Sequence, residues 1–131
     1  MGEYIGEIKM FGGIFAPQGW HFCDGTLLSV SEFGMLFSLI GTTYGGDGQT
    51  TFALPDLRGR VPIHYGNGIS LGDNGGAETV SVTLNQMAAY HPDLNAGAIS
   101  SVKGHQPDNN MQPYLCLNFI ICLSGIFPTR D

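Results

Sequence analysis

The alternation of apolar and polar positions begins early. Over residues 4–15, Ile8 and Met10 fall on one side and Glu7 and Lys9 on the other, the two-residue period of a strand. Ala16-Pro17-Gln18-Gly19 predicts a turn, a short apolar strand passes through Trp20 and Phe22, and Asp24-Gly25 predicts a second turn. A two-strand unit is the expected result. The period then changes: over residues 31–40, Phe33, Leu36, Phe37 and Ile40 take helical spacing, with Ser31 placed as N-cap and Gly41 as terminator. Gly34 inside that helix costs about 1 kcal/mol relative to Ala, so it is expected to mark close packing.

Residues 42–49 hold three glycines and Asp47 and predict a loop, after which Thr51-Phe52-Ala53-Leu54 leads into Pro55-Asp56-Leu57-Arg58-Gly59-Arg60. Asp56 and Arg58 have two readings there, exposed surface charges or a turn braced by charge-assisted hydrogen bonds. Residues 66–77 are rich in Gly, Asn, Asp and Ser, and residues 78–84 alternate as a strand. Residues 85–110 lack periodicity and are expected to form an exposed irregular excursion. The last stretch, residues 111–131, is dense in Leu, Ile, Phe and Cys around 113–128 and predicts a buried strand or bent strand pair. The expected whole is one α+β domain over residues 1–131, with several short strands, one short helix and long loops.

Composition adds a constraint. Only 12% of the residues are charged, about half the usual fraction, which leaves neutral surface that other copies of the chain would cover. A formal net charge of -6 without any basic run excludes nucleic acid as a partner. Cys23, Cys116 and Cys122 lie in apolar stretches without the close pairs of a metal site, and are read as buried free thiols. Cys116 and Cys122 on one strand would stand roughly 20 Å apart, too far for a disulfide. The N-terminus has neither signal-peptide nor myristoylation pattern, and the apolar run near residues 115–127, interrupted by Asn118 and Ser124, is too short to span a membrane.

No complete catalytic constellation emerges, and the chain is not expected to be an enzyme. Gly68-Ile69-Ser70-Leu71-Gly72 matches the nucleophile-elbow pattern but lacks the strand before and the helix after that the elbow needs. His21 and Cys23, two apart on a strand, could share a face as a thiolate pair, with a structural turn as the blander reading. Asp47, Asp73 and Glu78 miss the spacing of a calcium loop and are read as solvated carboxylates. Tyr90, His91, His105, Gln106, Asn109 and Asn110 gather aromatic and amide groups in the irregular stretch, the equipment of a sugar-contacting surface.

Several blocks carry a resemblance. Residues 6–13 (Gly-Glu-Ile-Lys-Met-Phe-Gly-Gly), 16–20 (Ala-Pro-Gln-Gly-Trp), 23–27 (Cys-Asp-Gly-Thr-Leu), 36–48 and 51–60 resemble, in order and spacing, the phage tail collar family over residues 6–64. The ending, from Asn110-Met-Gln-Pro-Tyr-Leu115 to Phe127-Pro128, is similar to that of small bacterial members called microcystin-dependent proteins. The resemblance implies an interlocked homotrimer in a phage tail fibre, with tail or fibre assembly proteins as partners and loops that contact a cell-surface glycan or lipopolysaccharide. It places the chain in the virion tail or a phage-derived particle; otherwise, without a secretion signal, the bacterial cytoplasm. A free-standing lectin-like bacterial protein derived from such a module is the alternative; the lack of a visible stalk before residue 6 favours it or an assembly subunit held by its N-terminus.

One block departs from the family. Members carry Gln-Met-Pro-x-His-x-His, and two histidines per chain give a trimer six ligands for an axial metal ion. Here Gln86-Met87-Ala88-Ala89-Tyr90-His91-Pro92 has Tyr90 and Pro92 at the two histidine positions. His91 alone remains as a metal candidate, and the two-residue period points it away from the ligand face. No cofactor is therefore expected.

Overall fold

The computed structural model describes residues 2–77, 79–81, 107–109 and 112–130. Eight elements follow one another: β1 (Ile8–Phe11), β2 (Trp20–Phe22), β3 (Leu27–Ser29), α1 (Gly34–Ile40), β4 (Thr51–Ala53), β5 (Thr79–Ser81), β6 (Pro107–Asn109) and β7 (Asn118–Cys122). They divide into two compact units, Met1–Asp73 with Cys116–Asp131, and Asn74–Leu115.

In the first unit the sheet order is β1-β7-β2, all antiparallel. The two N-terminal strands therefore do not pair with each other as the local turn suggested. β7 inserts between them, with Ile121 opposite both Ile8 and His21. The reason is apolar density: Ile120, Ile121 and Cys122 are three consecutive buried residues, covered on both faces, which is the position of a central strand. The expected C-terminal strand is thus present over residues 118–122 and is buried at 120–122. Residues 112–118 are exposed, and Cys116 with them, which corrects the reading of all three cysteines as buried; Cys23 and Cys122 are buried, and all three are free thiols.

The helix is shorter than its periodicity predicted. It begins at Gly34, with Phe33 in the N-cap position and no side-chain cap. Ser31 instead shares a hydrogen bond with the Ser29 hydroxyl at 2.8 Å, so the side chain that should cap the helix is used in the turn before it. Gly34 is the first helical residue and a Cβ there would meet open space, so it does not mark close packing. Gly41 ends the helix as expected, with φ 55° and its N–H on the Phe37 carbonyl at 2.7 Å.

α1 packs over the β3-β4 pair. Leu36, Phe52, Leu54, Ile5, Cys23 and Ile121 form the core, and the Phe37 and Phe52 rings lie tilted at 5.4 Å between centroids. Phe52 and Leu54 are completely buried. In the second unit, β5 pairs antiparallel with β6, Thr79 opposite Asn109. The strand expected over residues 78–84 is described only at 79–81, and residues 107–109 form a strand inside the segment read as irregular.

Candidate functional site

Three aspartates fix the loops around the core. Asp47 accepts backbone N–H groups from Gln49, Thr50 and Thr51 at 2.8, 2.8 and 3.0 Å, and its other oxygen accepts the Thr50 hydroxyl at 2.9 Å. Those donors, the Thr51 N–H foremost, hold its carboxyl far below the ordinary aspartate range. Asp56 forms a bidentate pair with Arg58, Nε to Oδ1 at 2.9 Å and Nη2 to Oδ2 at 2.8 Å, and also accepts the Arg58 N–H. The Arg58 side chain and backbone bring the Asp56 carboxyl down to about 2. Of the two readings of Asp56 and Arg58, the braced turn is the one the geometry supports.

Asp24 completes the set. Burial pushes its carboxyl up, but the hydroxyl and N–H of Thr26, at 2.5 and 3.1 Å, and nearby His21 outweigh that and leave it lowered. Gly25, at φ 79°, sends its N–H to the Pro55 carbonyl, and a Cβ there would stand 3.2 Å from the Asp56 carboxylate. Asp47 and Asp56 accept hydrogen bonds from the chain itself through both oxygens, and Asp24 through Oδ1. Among the described residues no three His, Cys, Asp or Glu side chains converge on one point.

The other chemical candidates resolve similarly. His21 Nδ1 lies 2.9 Å from the Phe22 carbonyl and 3.9 Å from Asp24. Burial, with Asp24 adding to it, pushes the Cys23 thiol up to about 12, which disfavours the thiolate a His-Cys pair would need. Ser70 sits in a turn, its N–H on the Asp73 carboxylate at 2.9 Å and its carbonyl accepting the Asp73 N–H at 3.0 Å. No strand precedes it and no helix follows it among its described neighbours. Tyr90, His91, His105, Gln106 and Asn110 lie outside the described residues; of Asn109 only the backbone is placed, as the last residue of β6.

What the fold leaves outside is apolar. Arg60 donates its N–H to the Leu57 carbonyl, and Gly72 is held so close to Thr43 that a Cβ would stand 2.4 Å from the Thr43 carbonyl oxygen. Between these anchors every residue from 61 to 71 is exposed, with Val61 at 82%, Ile63 at 67%, Tyr65 at 63% and Leu71 at 64% of full accessibility. The stretch 61–71 contains no Asp, Glu, Lys or Arg. A second apolar surface lies on β1, where Ile8 and Met10 are exposed. On the other face Lys9 sits 4.5 Å from the Trp20 ring centre and 3.7 Å from Glu3. The alternation of Val61, Ile63 and Tyr65 around Pro62 and His64 was available in the sequence as a strand signal, hidden by the glycine-rich stretch that follows it.

Residues 6–62 match the family model described as the Phage Tail Collar Domain. Over 68 residues, 51% of its length, the chain is 37% identical to the short tail fiber protein gp12 of Enterobacteria phage T4. The matched stretch covers 13% of that relative.

Proposed function

Because residues 6–62 match the family model of the phage tail collar domain, we propose that this chain is a structural and receptor-contacting module of a phage tail fibre. It works as a homotrimer that binds a cell-surface glycan or lipopolysaccharide, and needs neither a catalytic step nor a cofactor. The observation that carries this reading is the collar match itself, over a core whose turns are closed by their own aspartates. Such loops are rigid supports. The likeness to a short tail fiber protein supports a place in a virion tail, with fibre assembly proteins as further partners.

The contact surface is assigned to residues 85–110, where Tyr90, His91, His105, Gln106, Asn109 and Asn110 supply stacking faces and amide hydrogen bonds. Three such sites on one axis act together, so weak individual binding becomes firm attachment. The test is binding of the purified protein to a panel of immobilised lipopolysaccharides and glycans, with competition by the free polysaccharide. The proposal expects at least one competed signal that falls about tenfold or more in a Tyr90→Ala, His105→Ala variant of unchanged fold. Retention of full binding by that variant would move the contact surface elsewhere; no binding to any cell-surface polysaccharide would overturn the receptor role.

A further inference from the structure

The exposed stretch 61–71 and the exposed edge of β1 complement each other. β1 is an edge strand: among the described residues it pairs with β7 on one side only, and its Ile8 and Met10 side chains are uncovered. An open edge with apolar side chains is a surface that proteins normally cover. Residues 61–65 are the converse, a segment whose apolar residues alternate with the period of a strand but which belongs to no sheet. Among the described residues, the backbone of 61–65 makes no hydrogen bond, although the segment is anchored at both ends by Leu57 and Thr43.

We propose that residues 61–65 of one copy add to the β1 edge of a neighbouring copy, extending its three-stranded sheet and laying Val61, Ile63 and Tyr65 beside Ile8 and Met10. The inference rests on the trimeric reading above and names the contact that closes it. Pro62 has no N–H and is tolerated only where a strand has a free side. With residues 61, 63 and 65 supplying the pairing groups toward β1, Pro62 faces outward and stops a further strand from adding. The arm has no net charge to desolvate, and the side-by-side apolar pairs are those that stabilise sheets.

The sizes fit. With roughly 100 Å² offered by each exposed large side chain, Val61, Ile63 and Tyr65 on the arm and Ile8 and Met10 on the edge present on the order of 500 Å² per contact. A closed trimer holds three such contacts and covers on the order of 1,500 Å² in all, the scale of a stable assembly. Donor and acceptor are different surfaces of the same chain, so the contact is head to tail. Where the rotation between copies is the third of a full turn that a trimer needs, a head-to-tail contact closes into a ring and leaves no copy with an open β1 edge.

The experiment uses the whole chain with Cys116→Ser, to remove the exposed native thiol, and with Met10→Cys and Ile63→Cys together. Mild oxidation is followed by a denaturing, non-reducing gel, while light scattering gives the mass of the unmodified protein. A ladder of covalently joined chains up to the trimer, absent when either new cysteine is present alone, is the expected result. A scattering trimer whose double variant remains a single-chain band, with the thiol introduced at position 63 as open to maleimide as in the unfolded protein, overturns the arm contact and leaves the trimer standing. A single-chain band whose thiols are internally joined also overturns it, because the arm then folds onto its own sheet. A wild-type monomer removes the trimeric reading itself and the arm contact with it.

Discussion

Gly46 is held against Phe52 so closely that a Cβ on it would lie 2.3 Å from the Phe52 Cα and 2.9 Å from its nitrogen. Its φ of 92° is a conformation that side chains rarely take. The loop braced by Asp47 can therefore return to the core only through a glycine. Gly46→Ala should destabilise the protein by about 2 kcal/mol or more, read as a lower urea midpoint at one fixed chain concentration. Gly34→Ala, at the open first turn of α1, should be neutral or stabilising by up to about 1 kcal/mol. Equal effects of the two substitutions would contradict the loop geometry.

Phe52 is the largest fully buried side chain and touches the α1 face through Phe37. Phe52→Ala should cost about 3–5 kcal/mol, and Leu36→Ala about 2–5 kcal/mol, by chemical denaturation. A loss below about 1 kcal/mol at both would mean that the helix does not close the core.

The aspartate turns make stability depend on acid. Asp47 and Asp56 bind their protons less readily in the folded chain than the ordinary value of about 3.9 in the unfolded one. Their contribution is complete above about pH 4 and is lost as the pH falls through the folded values, which for Asp56 is about 2. Urea midpoints should decline between about pH 4 and pH 2, and Asp56→Asn with Asp47→Asn should flatten that decline. An unchanged pH profile in the double variant would show that other groups govern it.

Thiol reactivity separates the three cysteines. Cys116 is exposed, whereas Cys23 and Cys122 are buried, with the Cys23 thiol pushed up to about 12 by burial. Labelling of the folded protein at neutral pH should stop at one thiol per chain and vanish in Cys116→Ser; all three should react in denaturant. Rapid modification of Cys23 in the folded state would contradict its placement in the core.

Much of the first unit was legible in residue order. The helix through Leu36 and Phe37, its end at Gly41, the buried run at Ile120 and Ile121, and the Asp24-Gly25 turn all follow from local spacing and local chemistry. The partner of β1 did not. Turn residues at 16–19 suggest a hairpin between β1 and β2, but the choice of Ile121 as the residue opposite both Ile8 and His21 is made about a hundred residues away, by the need to cover an apolar strand on both faces. The helix start was missed because a serine can serve a turn as readily as a helix end, and Ser31 is taken by Ser29. The apolar arm was missed because Pro62 and the glycines after it weigh toward loop, while the alternation of Val61, Ile63 and Tyr65 weighs toward strand. Of the candidate receptor residues, the sequence named a stretch and a chemistry, and Asn109 is the one whose backbone the fold places, at the end of β6.

The proposed assembly sets the uncovered apolar edges of one copy against another copy. Light scattering of the purified protein at micromolar concentration measures it. Three chains of 14.0 kDa each moving as one particle are the expected result. A stable single-chain mass under the same conditions would contradict it.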